Sequence, residues 1–92
     1  MLLPTARIRR KEFIAADVGD KHVLMNVEKG VYLGLDGVGR AIWERLAAPQ
    51  TLPALYEGLQ TTYRVSDRAT FEHDVTEFIE QLRLHGLVEV IP

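Results

Sequence analysis

The sequence predicts an α+β domain of the winged helix-turn-helix type, a three-stranded antiparallel sheet followed by three helices. Two observations carry that prediction. The first is order: the extended segments come early, and beyond Asp36 the apolar spacing is helical. The second is the block at residues 30–43. There the period-two alternation of Val31, Tyr32, Leu33 and Leu35 gives way to a helical face of Val38, Ala41, Ile42 and Leu46. With 92 residues, 47% of them hydrophobic, the chain predicts one domain, 1–92, with a core of its own.

The first strand candidate covers residues 12–17 and stops at Val18-Gly19-Asp20. The second covers 22–27, with Val23, Met25 and Val27 on one face. Glu28-Lys29-Gly30 makes a hairpin loop in which Gly30 is free to take positive φ. The third, 31–35, returns antiparallel with Val31, Leu33 and Leu35 on one face and Tyr32 and Gly34 on the other. As the last strand before the helices it is expected at a sheet edge, with backbone groups open to a partner. The basic stretch Arg7, Arg9, Arg10 and Lys11 reads as a solvated terminal segment.

The first helix is capped by Asp36, runs over 37–48 and stops before Pro49, which disfavours helix at the residue preceding it. Trp43 on this helix reads as a large core side chain. The second is capped by Thr51, carries Pro53 in its first turn and buries Leu52, Leu55, Tyr56, Leu59 and Tyr63. Gly58 weakens it by about 1 kcal/mol relative to alanine, so it needs tertiary support. The third is capped by Ser66 or Asp67 and carries the apolar stripe Phe71, Val75, Phe78, Ile79 and Leu82. It closes at His85-Gly86-Leu87, with Gly86 as the left-handed C′ residue and Leu87 as the accompanying hydrophobic contact. Residues 87–91 add a short terminal strand.

Composition narrows the function. There is no cysteine, which excludes disulfides, thiol catalysis and cysteine-based zinc sites. No apolar run approaches the ~20 residues of a membrane span, and residues 1–10 lack the apolar core of a signal peptide. A soluble, cytoplasmic protein with no membrane partner is expected. His22, His73 and His85 do not assemble a metal-ligand spacing, and no phosphate loop, nucleophile elbow or dinucleotide fingerprint is present. Gly34, Gly37 and Gly39 lack the parallel βαβ context that a phosphate-binding loop requires. Neither catalysis nor a metal or cofactor is expected.

A winged helix invites a DNA-binding reading, and charge opposes it. A recognition helix should present Arg, Lys, Asn or Gln to bases and phosphates. The third helix carries Glu72, Asp74, Glu77 and Glu80 against Arg83, and the net charge is −2. Both oppose phosphate attraction, so DNA binding stands only as the lesser alternative.

Taken together, the residues resemble the PqqD-like family, the recognition elements for ribosomally synthesised and modified peptides. The resemblance rests on the Glu28-Lys29-Gly30 turn, the block from Tyr32 through Asp36 to Ile42-Trp43, and the closing Asp74-Val75-Thr76-Glu77-Phe78-Ile79-Glu80-Gln81-Leu82 with Gly86-Leu87-Val88. It spans residues 13–90. It implies a protein that binds the leader segment of a precursor peptide and delivers it to a leader peptidase or other modifying enzyme. The block ending in Ile42-Trp43 looks most like the small stand-alone members of lasso-peptide pathways. A peptide chaperone of pyrroloquinoline quinone synthesis is the alternative setting. An adaptor that contacts only the enzyme is a third reading.

The expected mechanism is strand addition. The leader would pair with 31–35, in a groove whose other wall is the third helix. The candidate contacts are Val31, Tyr32, Leu33, Gly34 and Leu35 on the strand, and Asp74, Val75, Glu77, Phe78, Leu82 and Arg83 on the helix. Of these, Leu35 and Leu82, like Ile79, have core packing as their main expected role. Asp74 and Glu77 would meet a basic leader residue and Arg83 an acidic one.

Overall fold

The computed structural model describes residues 2–11 and 13–91. Its elements in chain order are β1 (Arg7–Arg10), β2 (Ile14–Val18), β3 (Lys21–Asn26), β4 (Val31–Leu35), α1 (Gly37–Arg45), α2 (Leu52–Gln60), α3 (Arg68–Leu84) and β5 (Val88–Ile91). Glu12, which opens the first expected strand, lies outside the described residues, as do Met1 and Pro92. The architecture is the expected α+β one. An antiparallel sheet ordered β2-β3-β4 precedes three helices, and β1 and β5 form a second antiparallel pair.

That pair corrects the reading of the N-terminal segment. Ile8 is fully buried, and its amide and carbonyl both bond to Gln50, at 2.7 and 2.9 Å. Arg10 is not simply solvated either. Its guanidinium lies 5.1 Å from the Phe13 ring centroid and 5.5 Å from that of Trp43, and it donates to the Trp43 carbonyl at 3.3 Å. Phe13 meets Trp43 edge-on at 4.8 Å. The Arg10 guanidinium here covers the Phe13–Trp43 pair.

Each helix starts where a side chain satisfies its free amides. Asp36 accepts from the Gly39 amide at 2.7 Å, Thr51 from Ala54 at 3.3 Å, and Asp67 from Thr70 at 3.2 Å. Asp67 rather than Ser66 is therefore the third cap. The helix α1 ends three residues earlier than expected. There the Leu46 carbonyl accepts from the Arg10 amide at 3.1 Å, so pairing with β1 competes with further helix. Both Schellman bonds close α3, Leu87 N–H to Leu82 at 2.9 Å and Gly86 N–H to Arg83 at 3.0 Å, with Gly86 at φ +70°. Gly58 has a packing role besides its helix cost. The Arg45 guanidinium lies over it and donates to its carbonyl at 2.9 Å, where a Cβ would come within 2.6 Å of the guanidinium.

The core gathers Ile8, Leu24, Leu35, Ile42, Trp43, Leu46, Leu52, Leu55, Leu59, Val75, Ile79, Leu82, Leu87 and Val88. Val23 and Met25 do share a face of β3, but it is the outward one. Leu24 and Asn26 turn inward, and Val27 lies beyond the strand. Asn26 is the buried polar residue of this face. It donates to the His85 and Gly86 carbonyls at 3.2 and 3.0 Å and accepts from the Lys29 amide at 3.2 Å. One side chain thus fastens the β3–β4 turn to the end of α3.

Candidate functional site

The strand β4 is held at both ends and open along one side. At its start, Gly30 takes φ +68° and its amide bonds to the Asn26 carbonyl at 2.9 Å, closing the turn that Asn26 fastens to α3. At its end, Asp36 caps α1. Between them β4 pairs with β3 in the register Asn26↔Val31, Leu24↔Leu33 and His22↔Leu35. Among the described residues no strand pairs with its other side. Such an edge presents unpaired N–H and C=O groups in a fixed extended geometry, a template for another strand.

The two faces of β4 differ as the alternation predicted. Leu35 is buried and Leu33 half-buried against the core, while Tyr32 is 71% exposed on the outward face. The helix candidates divide similarly. Val75 and Leu82 are buried in the core, and Phe78 is half-buried against it. Phe78 also approaches the first turn of α1. Its ring lies so close to Gly39 that a Cβ there would sit 3.2 Å from it.

Beyond the end of β4 lies an open cleft of about 540 Å³. Asp36, Val38 and Gly39 form one side of it, the 63–67 loop its end, and Phe71, Asp74, Val75 and Phe78 of α3 its other side. Asp74, Val75 and Phe78 are thereby brought together beyond the end of the strand, in a lining that includes none of Val31, Tyr32, Leu33, Gly34 or Leu35. Glu77 and Arg83 are not part of this lining. Glu77 pairs with His73 at 3.4 Å on the exposed side of α3, and Arg83 with Glu80 at 3.3 Å. Nine residues separate Asp74 from Arg83, which at about 100° per residue places them on opposite sides of the helix.

The sequence reading missed the loop that ends the cleft. Tyr63 packs against the core as expected, and from beyond the end of α2 it also donates its hydroxyl to the Gly37 carbonyl at 3.2 Å and so ties this loop to the start of α1. The apolar trio Tyr63, Val65 and Phe71, astride a helix cap, was the available signal. Asp67 at the cleft is held below the usual carboxylate range, first by the Thr70 amide and then by the Thr70 hydroxyl. On β2, the hydrogen bond with His22 lowers Asp17 in the same direction. Among the described residues no group of His, Cys, Asp and Glu is placed to hold a metal ion. No helix among them is long and apolar enough to cross a membrane.

Residues 21–88 match the family model described as coenzyme PQQ synthesis protein D (PqqD). Among solved structures, the chain is similar to TbiB1 in complex with the TbiA(β) leader peptide, with a TM-score of 0.73 and 30% sequence identity. That match covers 88% of this chain and 94% of the other. No curated protein matches. In sequence and in fold, the chain belongs to the PqqD family.

Proposed function

We propose that this chain binds the leader segment of a ribosomally synthesised precursor peptide as a strand added to the open edge of β4. It then delivers that leader to a leader peptidase or other modifying enzyme of a lasso-peptide pathway. The observation that carries the reading is the unpaired edge of β4, fixed at both ends, in a fold similar to one solved with a leader peptide. The chain's own part is binding and presentation, with the chemistry left to the partner enzyme.

Energetics decide where affinity comes from. About five backbone hydrogen bonds contribute ~0.5–1.5 kcal/mol net each. Ordering the peptide costs ~1–2 kcal/mol per residue. Those terms roughly cancel, so the surplus comes from buried side chains at about 1.5–3 kcal/mol each. Two or three anchors then give micromolar or tighter binding. An antiparallel leader runs opposite to β4, so its N-terminal side passes Leu35 and reaches the cleft. Val31, Leu33 and Phe78 are the partly exposed apolar contacts along this path. Leu35, Val75 and Leu82 are buried in the core, and Asp74, in the cleft lining, offers charge at the rim, contributing at most ~1 kcal/mol.

Calorimetric titration with the leader of the precursor encoded beside this gene tests the reading. Micromolar or tighter binding is expected, and absence of heat at high micromolar peptide contradicts it. The family description favours one second setting, a peptide chaperone in pyrroloquinoline quinone synthesis. A neighbouring peptidase and cyclase support the first setting, whereas a radical enzyme supports the second.

A further inference from the structure

The two ends of β4 open onto surfaces of opposite charge. At the Leu35 end, the cleft lining carries Asp36, Asp67 and Asp74 against Arg64. At the Val31 end, a second recess of about 400 Å³ lies where the β3–β4 turn meets β1, β5 and the close of α3. Arg9, Arg10 and Lys11 line it, against Glu28 and Glu89. Lys29 adds a cation beside it, since its side chain lies so close to Gly86 of the lining that a Cβ there would come within 3.1 Å. The basic charge is concentrated here. Residues 7–11 hold four of the chain's eleven Lys and Arg residues, whereas the remainder carries thirteen acidic residues against seven basic ones. Nor do these cations sit on a loose terminus. The strand β1 pairs with β5, Ile8 bonds to Gln50, and the Lys11 amide donates to the Leu87 carbonyl at 2.9 Å. Alternation turns Ile8 inward and Arg9 outward, where its pair with Glu89 stays exposed to water.

Position selects the occupant. Under strand addition, an antiparallel leader passes Leu35 on its N-terminal side and leaves β4 past Val31 on its C-terminal side, at the turn whose Glu28 lines the recess. The leader precedes the part of the precursor that is modified, so the processing enzyme works on this side. We propose that the recess at the Val31 end of β4 is a docking site for an acidic segment of that enzyme, with Arg9 and Lys11 as its cations. This rests on leader addition to β4 and extends it to the second partner. Complementary rim charges steer encounter and choose partners more than they raise affinity. The acidic remainder of the chain repels the same segment, so the encounter is oriented as well as attracted.

The test uses the full chain and the purified peptidase or modifying enzyme encoded beside this gene, with binding followed by surface plasmon resonance. The leader is titrated separately by calorimetry. Lys11→Glu is expected to weaken enzyme binding about fivefold, chiefly in the association rate, and the double change Arg9→Gln with Lys11→Gln about as much. Glu28→Gln removes an acidic group from the rim and is expected to tighten enzyme binding about twofold, a sign that a merely structural role does not give. Lys21→Glu, with the same change of net charge at the far end of β3, is expected to leave it unchanged. Added salt should slow association of the parent and bring it level with Lys11→Glu. Every variant is expected to keep the parent's circular dichroism spectrum and leader affinity. Parent-like enzyme binding by Lys11→Glu and the double variant, or an equal loss in Lys21→Glu, overturns the docking site and leaves strand addition standing. A leader affinity that falls together with enzyme affinity in Lys11→Glu assigns the recess to the leader and overturns the docking site too. A leader that does not bind the parent chain overturns strand addition, and with it the exit side on which the docking site rests.

Discussion

The β1–β5 pair and the β2-β3-β4 sheet use the same backbone chemistry on different partners. In β1, Ile8 is fully buried, its polar groups bond to Gln50, and Arg10 N–H reaches Leu46 in the α1–α2 connection. Arg9 of β1 and Glu89 of β5 add an ion pair on the outside. This pair closes the core between the two ends of the chain. Among the described residues the β4 edge is left without a strand, and the outward face of its sheet exposes Ile14, Met25 and Tyr32. One sheet spends its polar groups and apolar side chains within the chain. The other holds both ready, fixed by a turn and a helix cap. Under the proposed function the closed edge contributes to stability and the open edge to recognition, and substitutions in the two regions should separate those quantities.

The largest separation is expected at a pair of isoleucines. Ile8→Ala should cost about 2–5 kcal/mol of stability, read as a lowered urea midpoint, because it empties a fully buried site. Ile14→Ala, on the exposed outward face, should stay within about 0.5 kcal/mol. Similar losses at both sites would break the distinction. Asn26→Ala should come next, at about 1–3 kcal/mol, since it leaves the His85 and Gly86 carbonyls without their donor and frees the β4 turn from α3. Its leader affinity should fall as well. Asp36→Ala should cost about 0.5–2 kcal/mol by removing the cap of α1 where β4 ends.

The smallest effect is expected in acid. Asp17 and Asp67 both titrate below the ordinary aspartate value of 3.8 in the folded chain. A depressed carboxyl contributes stability that is fully present above its unfolded value and lost as pH falls through its folded one. Stability should therefore decline below about pH 4. Asp67→Asn, which keeps an oxygen for the Thr70 amide, should make that decline shallower in urea melts taken at successive pH values. An unchanged acid limb would remove Asp67 from the account.

The helices and their caps were legible because a 3.6-residue period and a capping side chain are both local signals. The alternation of β4 was legible for the same reason, as was Gly86. What escaped required knowledge of a distant partner. Val23, Leu24 and Met25 are all apolar, so alternation could not say which face of β3 turns inward. Pairing with Leu33 and the Asn26 bonds to α3 decide it. The segment Arg7–Arg10 looked solvated because three of its four residues are arginines. The buried one, Ile8, finds its place only through Gln50 and β5. The cleft beyond β4 depends on how the 63–67 loop folds back onto α1, and no spacing in the sequence encodes the Tyr63–Gly37 bond. Of the expected site, the strand was therefore more legible than the helix, whose angular geometry sets Arg83 apart from Asp74.

Residue-resolved amide hydrogen exchange on β4, with and without the leader, tests strand addition most directly. In a paired strand, alternate amides point to opposite neighbours. The free chain should show protection at those β4 amides that bond to β3 and fast exchange at those facing the open edge. Addition of the leader should raise protection at the edge-facing amides, in alternation along Val31–Leu35. Leader binding that leaves every β4 amide unchanged would contradict the account.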